Sequence, residues 1–253
     1  MDARLPVFPL GTVLFPGLVL PLHIFEARYL ELMQHLINLP DGTPREFGVV
    51  AIRSGGSAPV ANGPEQERHP GQERPAGRPD PEPAGRQPDG APVTLHEVGC
   101  TAELRQVTEL PDGRLDVVTV GRRRFRIAEV DEESTPYLTA EVEWLPEPTG
   151  QEQLADLLAP RVLAVFRRYL TLVRDDRDEI SEQLPDDPTV LSHLVAATAA
   201  LTLTDRQRLL ATPDTAGRLT AELRLLNREA ALLRQVRAVP VSLTELAVPA
   251  SPN

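Results

Sequence analysis

The chain has 253 residues and 26 basic side chains, and all 26 are arginine; lysine does not occur. That excludes a phosphate-binding P-loop, a Schiff base and a Ser-Lys dyad within these residues, because each needs an amine that an always-charged guanidinium cannot replace. A net charge of −11 and a pI near 5.0 argue against a general nucleic-acid binder, which needs a basic field to displace counterions.

The single cysteine, Cys100, rules out an intramolecular disulfide and a multi-cysteine zinc site, and suits a reducing cytoplasm. Met1 to Leu10 carries Asp2, Arg4 and two prolines, which is not the pattern of a signal peptide. The apolar run Val13 to Leu22 is interrupted by Pro16, Gly17 and Pro21 and is too short to span a bilayer, which takes about 20 residues. A soluble cytoplasmic protein with no membrane association is the expectation.

In chain order, Leu5 to Arg53 reads as short apolar strands broken by turns. Apolar pairs interrupted by proline, from Pro9-Leu10 to Leu20-Pro21-Leu22, suit an edge strand or a crossing segment. Phe25 to Ile37 then reads as an amphipathic helix with Tyr29, Leu32, Met33 and Leu36 inward. Residues 54–92 hold nine prolines and seven glycines with Val60 as the only large aliphatic side chain, a composition that predicts a disordered insertion. Strands resume at Val93. Pro111-Asp112-Gly113-Arg114 predicts the turn of a hairpin joining Ala102–Leu110 to Leu115–Val120, and strands follow over Gly121–Ile127 and Tyr137–Leu145.

From Pro148 onward the period changes to that of helices. Leu154 to Val173 form one face, with Pro160 either kinking the helix or marking its start. A second helix is predicted from Pro188 behind an Asp187 cap to Ala200, a third from Thr204-Asp205, and a fourth from the Thr212-Pro213-Asp214 cap. On the fourth, Leu219, Leu223, Leu226, Ala230 and Leu233 make a seam that suits either packing within a small bundle or a homodimer, with the intramolecular reading favoured. The expected organisation is a β domain over 1–147, a helical bundle over 148–239 and a flexible tail over 240–253.

Several sharper readings weaken on inspection. Glu26 with His23 has the residue types of an acid-base pair, but a carboxylate at a helix start beside an anchoring Arg28 explains them more simply. The five histidines lack metal-ligand spacing, no serine sits in a nucleophile elbow, and Ser192-His193 diverge on a helix. Neither a metal, a cofactor nor a catalytic residue is expected.

Taken together, Pro9-Leu10, Leu14-Phe15-Pro16-Gly17, Leu20-Pro21-Leu22-His23-Ile24-Phe25-Glu26 and Arg28-Tyr29 resemble the opening of the Lon protease N-terminal (substrate-binding) domain family. Phe47-Gly48-Val49-Val50, Leu95 to Cys100, Asp112-Gly113-Arg114 and Gly121 to Ile127 follow in that family's order, as do Pro136-Tyr137, Ala140 to Glu143, Arg206 to Leu210, Arg218-Leu219 and Leu226. The resemblance implies an α+β fold, a PUA-like β-rich pseudo-barrel followed by a C-terminal α-helical bundle. Full-length Lon enzymes continue into an ATPase and a Ser-Lys peptidase. The chain ends at Asn253 without either, so a stand-alone, non-catalytic bacterial member is expected. Its partners would be unfolded or degron-bearing proteins and peptides, together with an ATPase or protease acting in trans.

The candidate peptide contacts are Phe15, Pro16, Phe25 and Tyr29, on a free sheet edge or in a groove between the strands and the helices. Glu26, Arg28, Arg124 and Phe125 are expected to be structural, with Arg124 pairing Glu26 in the core. The alternative is an RNA- or anion-binding PUA-like protein that uses the strand Arg122 to Arg126. Simple alternation there puts Arg122, Arg124 and Arg126 on one face, and Arg123 and Phe125 on the other.

Overall fold

The computed structural model describes residues 3–53, 94–173 and 184–237. Six strands and five helices run in the order β1 (Ala3–Leu10), β2 (Val19–Ile24), α1 (Ala27–Ile37), β3 (Glu46–Ala51), β4 (Val98–Glu109), β5 (Leu115–Asp131) and β6 (Thr139–Trp144), then α2 (Glu152–Val173), α3 (Pro188–Thr198), α4 (Leu203–Ala211) and α5 (Thr215–Arg237). The expected insertion at 54–92 and tail at 240–253 lie outside the described residues.

The sheet order is β2-β5-β4-β3-β1-β6, and β5 also pairs with β6, so the mixed sheet curls back on itself. Length makes this possible. The 17-residue β5 pairs with β2 over Leu115–Val120, and with β6 over Phe125–Asp131. The β4–β5 hairpin closes where the sequence places its turn: Gly113 has φ +81°, and its N–H donates to the Leu110 carbonyl at 3.0 Å.

Of the proline-broken run read as an edge strand or a crossing segment, the first part, β1, is not at an edge. Instead β1 lies inside the sheet, pairing antiparallel with β6 through Ala3–Pro6 and parallel with β3 through Val7–Leu10. The change of partner midway limits how many donors β1 must supply on either side, which is what makes Pro6 and Pro9 tolerable there. The edge strand is β2, which carries Pro21.

Inside the curl lies a small apolar cluster of Leu5, Val7, Val50, Phe125, Ala140 and Val142. Phe125 fills its centre because two neighbours lack side chains. A Cβ on Gly48 would come within 2.6 Å of the Phe125 ring, and one on Gly99 within 2.5 Å. Outside the curl, a larger core joins the other sheet face to α1 and the bundle. In α1 the buried residues are Tyr29, Leu32, Met33 and Leu36, the face that the spacing predicts, and Phe8 stacks on Tyr29 at 3.9 Å.

The bundle follows its sequence signals closely. Asp187 caps α3, accepting from the Val190 N–H at 2.8 Å, and Thr202 caps α4 through the Asp205 N–H. Ahead of α5, Asp214 accepts from the Gly217 N–H at 2.7 Å. Helix α2 runs unbroken through Pro160, which lies on the exposed side together with Asp156, so water can serve the carbonyl that proline leaves without a helical donor. In the seam of α5, Leu219, Leu226 and Ala230 are buried in the chain's own core, and Leu223 and Leu233 are partly buried against it. Among the described residues, no helix is long and apolar enough to cross a membrane.

Candidate functional site

Strand β2 and the facing parts of β5 and β4 form a wing with one buried and one open face. Alternation along β2 sorts its side chains: Leu22 and Ile24 enter the core, whereas Val19 and Pro21 are exposed and His23 half-buried. Phe25 extends the outward series just past the strand and is 41% exposed, with Val19 at 61%. Across the ladder Val19 faces Val120 and Pro21 faces Val118, both partly buried, so the open face carries an apolar stripe. The stripe is bounded by charge. At one end Arg122 and Arg105 both pair with Glu103 at 3.0 Å. At the other, His23 Nδ1 lies 2.7 Å from Asp116, its Nε2 lies 3.0 Å from an Arg114 nitrogen, and Arg114 pairs with Asp112.

The free edge of β2 has a specific pattern of backbone groups. The Leu18 carbonyl accepts from Gly121 N–H, and Leu20 stands opposite Thr119, so the even-numbered residues turn their backbone groups toward β5. Val19, Pro21 and His23 therefore turn theirs outward. Proline has no N–H, so an incoming strand would meet donors at Val19 and His23 with a gap between them.

The four apolar residues expected to touch peptide divide sharply. Phe15 and Tyr29 are buried, at 0% and 2% exposure, and Pro16 is half-buried in the turn that packs on Gly121. A Cβ at Gly121 would stand 2.1 Å from the Phe15 carbonyl oxygen, which shows how tightly that turn is seated. Phe25 is the most exposed of the four. The outward series Val19, Pro21, His23 and Phe25 was legible as an alternation in Val19-Leu20-Pro21-Leu22-His23-Ile24-Phe25, a signal that reading the prolines as breaks conceals.

The charged motif residues are arranged differently from the expectation. Arg28 pairs with Glu26 at 2.9 Å and stacks over Tyr29, but Arg124 does not join them. Arg124 is 1% exposed and pairs with Glu147, on the segment that links β6 to α2. Its guanidinium also donates to the carbonyls of Leu210 and Thr212 at 2.7 Å, Pro146 at 2.9 Å and Pro213 at 3.4 Å. The reason is a bulge. The β4–β5 register passes from Ala102 opposite Gly121 to Cys100 opposite Arg124, so Thr101 faces two residues, and its hydroxyl accepts from Arg123 N–H. One extra residue reverses the faces beyond it. Arg124 thereby turns toward the bundle, on the opposite face from Arg122, while Arg126, two residues further along the unbroken ladder, shares the face of Arg124 but stays exposed.

Glu147 is the centre of this joint. Its second oxygen is 3.3 Å from Arg218 and 3.5 Å from His193, and Arg218 also donates to Ser192 at 2.8 Å. Burial works to raise the Glu147 pKa, but the His193 hydrogen bond and the Arg124, His193 and Arg218 charges outweigh it and hold the carboxyl at about 2. Burial pushes His193 below the usual imidazole value against the pull of Glu147, and Arg218 and Arg124 add to the lowering. Further along α5, Glu222 is wholly buried without a hydrogen-bond partner, and desolvation raises its pKa well above the usual range. Cys100 is buried and its thiol is pushed up by desolvation, so it is not a poised nucleophile. Among the described residues, no group of three or more His, Cys, Asp or Glu side chains is arranged to hold a metal ion.

Comparison with known proteins agrees with this architecture. A family model described as the ATP-dependent protease La (LON) substrate-binding domain matches residues 4–228. Lon protease 1 of Thermus thermophilus is 38% identical over 146 residues, 56% of this chain and 18% of that protein. Lon protease 2 of Herpetosiphon aurantiacus is 31% identical over 212 residues, 82% of this chain and 22% of that protein. The chain thus matches about a fifth of the length of these relatives. Among solved structures, the Lon N-terminal domain protein from Xanthomonas campestris superposes with a TM-score of 0.52 at 22% identity, covering 89% of this chain and 98% of that one. The N-terminal domain of Mycobacterium avium complex Lon protease gives 0.53 at 18% identity, covering 90% and 98%. With a family match over nearly the whole chain and the same fold in both solved domains, this chain belongs to the family of the Lon substrate-binding domain.

Proposed function

We propose that this chain is a non-catalytic protein- and peptide-binding module that takes extended apolar segments, such as those of unfolded or degron-bearing proteins, along the open face and edge of β2. Membership of a substrate-binding family supports a binding role, and the observation that carries the location is the exposure of Val19 at 61% and Phe25 at 41%, at the two ends of β2. Aromatic and aliphatic side chains left in water beside a free strand edge suit strand addition, with main-chain bonds at Val19 and His23 and alternate side chains of the peptide on the apolar stripe. The absence of lysine leaves no residue for a Ser-Lys dyad within these 253 residues, so cleavage of a bound client would fall to a protease module outside them.

The anion-binding alternative is not favoured. Arg122 pairs with Glu103, Arg123 pairs with Glu46 and stacks 3.8 Å over Trp144, and Arg124 is buried on Glu147. Those guanidinium groups are already engaged, which leaves Arg126, exposed and without an ion pair among the described residues, alone on that strand.

Isothermal titration of an extended apolar peptide tests the proposal. Saturable binding to the wild type, weakened about tenfold or more in Phe25→Ser with unchanged thermal stability, is the expected result; a truncated aromatic contact costs over about 1 kcal/mol at a binding centre. Equal affinity of the variant and the wild type would place the site elsewhere.

A further inference from the structure

The joint between the sheet and the helices rests on an unusual charge arrangement. Two buried guanidinium groups, Arg124 of β5 and Arg218 of α5, converge on the single carboxylate of Glu147. His193 of α3 sits in the same cluster, 4% exposed, with Nε2 3.4 Å from Arg218 and 3.5 Å from Glu147. Its Nδ1 is buried without a partner. The charged groups that face His193 are therefore Glu147 of the linker, Arg124 of β5 and Arg218 of α5, while α2 and α4 bring no ion pair to it. A further carboxyl, Glu222, acts on Arg218 from the next turn of α5 and is itself desolvated.

The cluster also holds a seam shut. The His193 ring lies 6.1 Å from Phe15, in the turn between β1 and β2, and Phe15 is wholly buried. On the neighbouring strand, Gln207 of α4 donates to the Val98 carbonyl at 2.7 Å, and α4 lies over this end of β4, where Cys100 is buried.

We propose that the Glu147 cluster is an acid-sensitive clasp between sheet and helices with His193 as its trigger, so that protonating His193 opens the seam covering Phe15 and Cys100. A third positive charge would then face two buried arginines with one carboxylate among them, in a setting where desolvation already disfavours charge. When the seam opens, water reaches all four groups and the repulsion is screened.

The sign follows from linkage. The closed seam holds His193 below the ordinary imidazole value of 6.5, and the open seam restores it, so the open form binds protons more tightly. Closure is fully stabilised above about pH 6.5 and weakens as pH falls below that value. If the closed-state imidazole stays neutral throughout, the opening equilibrium rises about 30-fold between pH 7.5 and 5.0, which is the ceiling for one such group.

The single cysteine is the reporter. Labelling of Cys100 by 4,4′-dithiodipyridine, divided at each pH by the rate in urea-unfolded protein, measures opening free of the thiol's own ionisation. Protection in the wild type is expected to fall up to about 30-fold from pH 7.5 to 5.0. His193→Gln should be flat over the same range, and His96→Gln, at the second histidine held low by burial, should fall as the wild type does. Constant protection in the wild type, or an equal fall in His193→Gln, overturns the clasp. If His193→Gln does not fold, the wild type still decides: amide exchange of α3 and α4 must accelerate along the His193 ring-proton titration curve, and acceleration without that titration refutes the trigger.

Discussion

Replacing Arg124 by methionine keeps the bulk of a long side chain and removes five hydrogen-bonded contacts: one to Glu147 and four to the carbonyls of Pro146, Leu210, Thr212 and Pro213. Removing one partner of a buried ion pair costs about 3–5 kcal/mol. Glu147 retains 28% exposure and can recover some hydration and the pull of Arg218, which moves the pair's share toward the lower end. The Leu210 and Thr212 carbonyls at the end of α4 lose their guanidinium donor as well, and an unmet buried acceptor costs about 1–3 kcal/mol. We expect a loss of about 4 kcal/mol, or roughly 10 °C in midpoint for a chain of this size. Urea unfolding followed by the fluorescence of Trp144, the single tryptophan, measures it directly. Arg124→Lys keeps the charge but reaches fewer of the divergent acceptors, so it should recover only part of the loss. A methionine variant within about 1 kcal/mol of the wild type would show that the cluster does not join sheet to helices as the geometry requires.

Gly99→Ala forces a Cβ to within 2.5 Å of the Phe125 ring and 2.6 Å of the Val49 carbonyl oxygen, and should cost about 2–3 kcal/mol by the same unfolding assay, since overpacking a dense core moves backbone. The Glu147 carboxyl, held at about 2 against an ordinary 4.5, supports the fold above pH 4.5 and ceases to do so as pH falls toward 2. Acid unfolding of Glu147→Gln should therefore show a shallower pH dependence than the wild type across that window. Leu219→Ala empties a wholly buried seam position and should cost about 2–5 kcal/mol while leaving the sedimentation coefficient unchanged. A change of association state with little loss of stability would place the seam between chains instead.

Much of the local structure was legible because it depends on local rules. The Pro111–Arg114 turn, the Asp187 cap of α3 and the inward face of α1 depend on backbone dihedrals, orphan N–H groups and a 3.6-residue period. The inward burial of Leu219 and Leu226 likewise follows from their spacing on α5. The Arg122–Arg126 strand was misread for an equally definite reason. Alternation presumes an unbroken ladder, and the bulge opposite Thr101 is decided by how β4 and β5 register over their length.

By itself the sequence determined the element types, the helix limits to within a few residues, the family resemblance and, through the absence of lysine, the chemistries these residues do not carry, but it divided the single strand β5 into Leu115–Val120 and Gly121–Ile127. Only the tertiary structure decided that Arg124 meets Glu147 rather than Glu26, that Phe15 and Tyr29 are core while Phe25 faces water, and that His193 closes a joint between arginines. The difference is one of range. Caps, turns and periods are set within a few residues, whereas the Arg124–Glu147–Arg218 cluster joins residues from β5, the β6–α2 linker and α5, whose meeting depends on a bulge and on how the helices settle against the curled sheet.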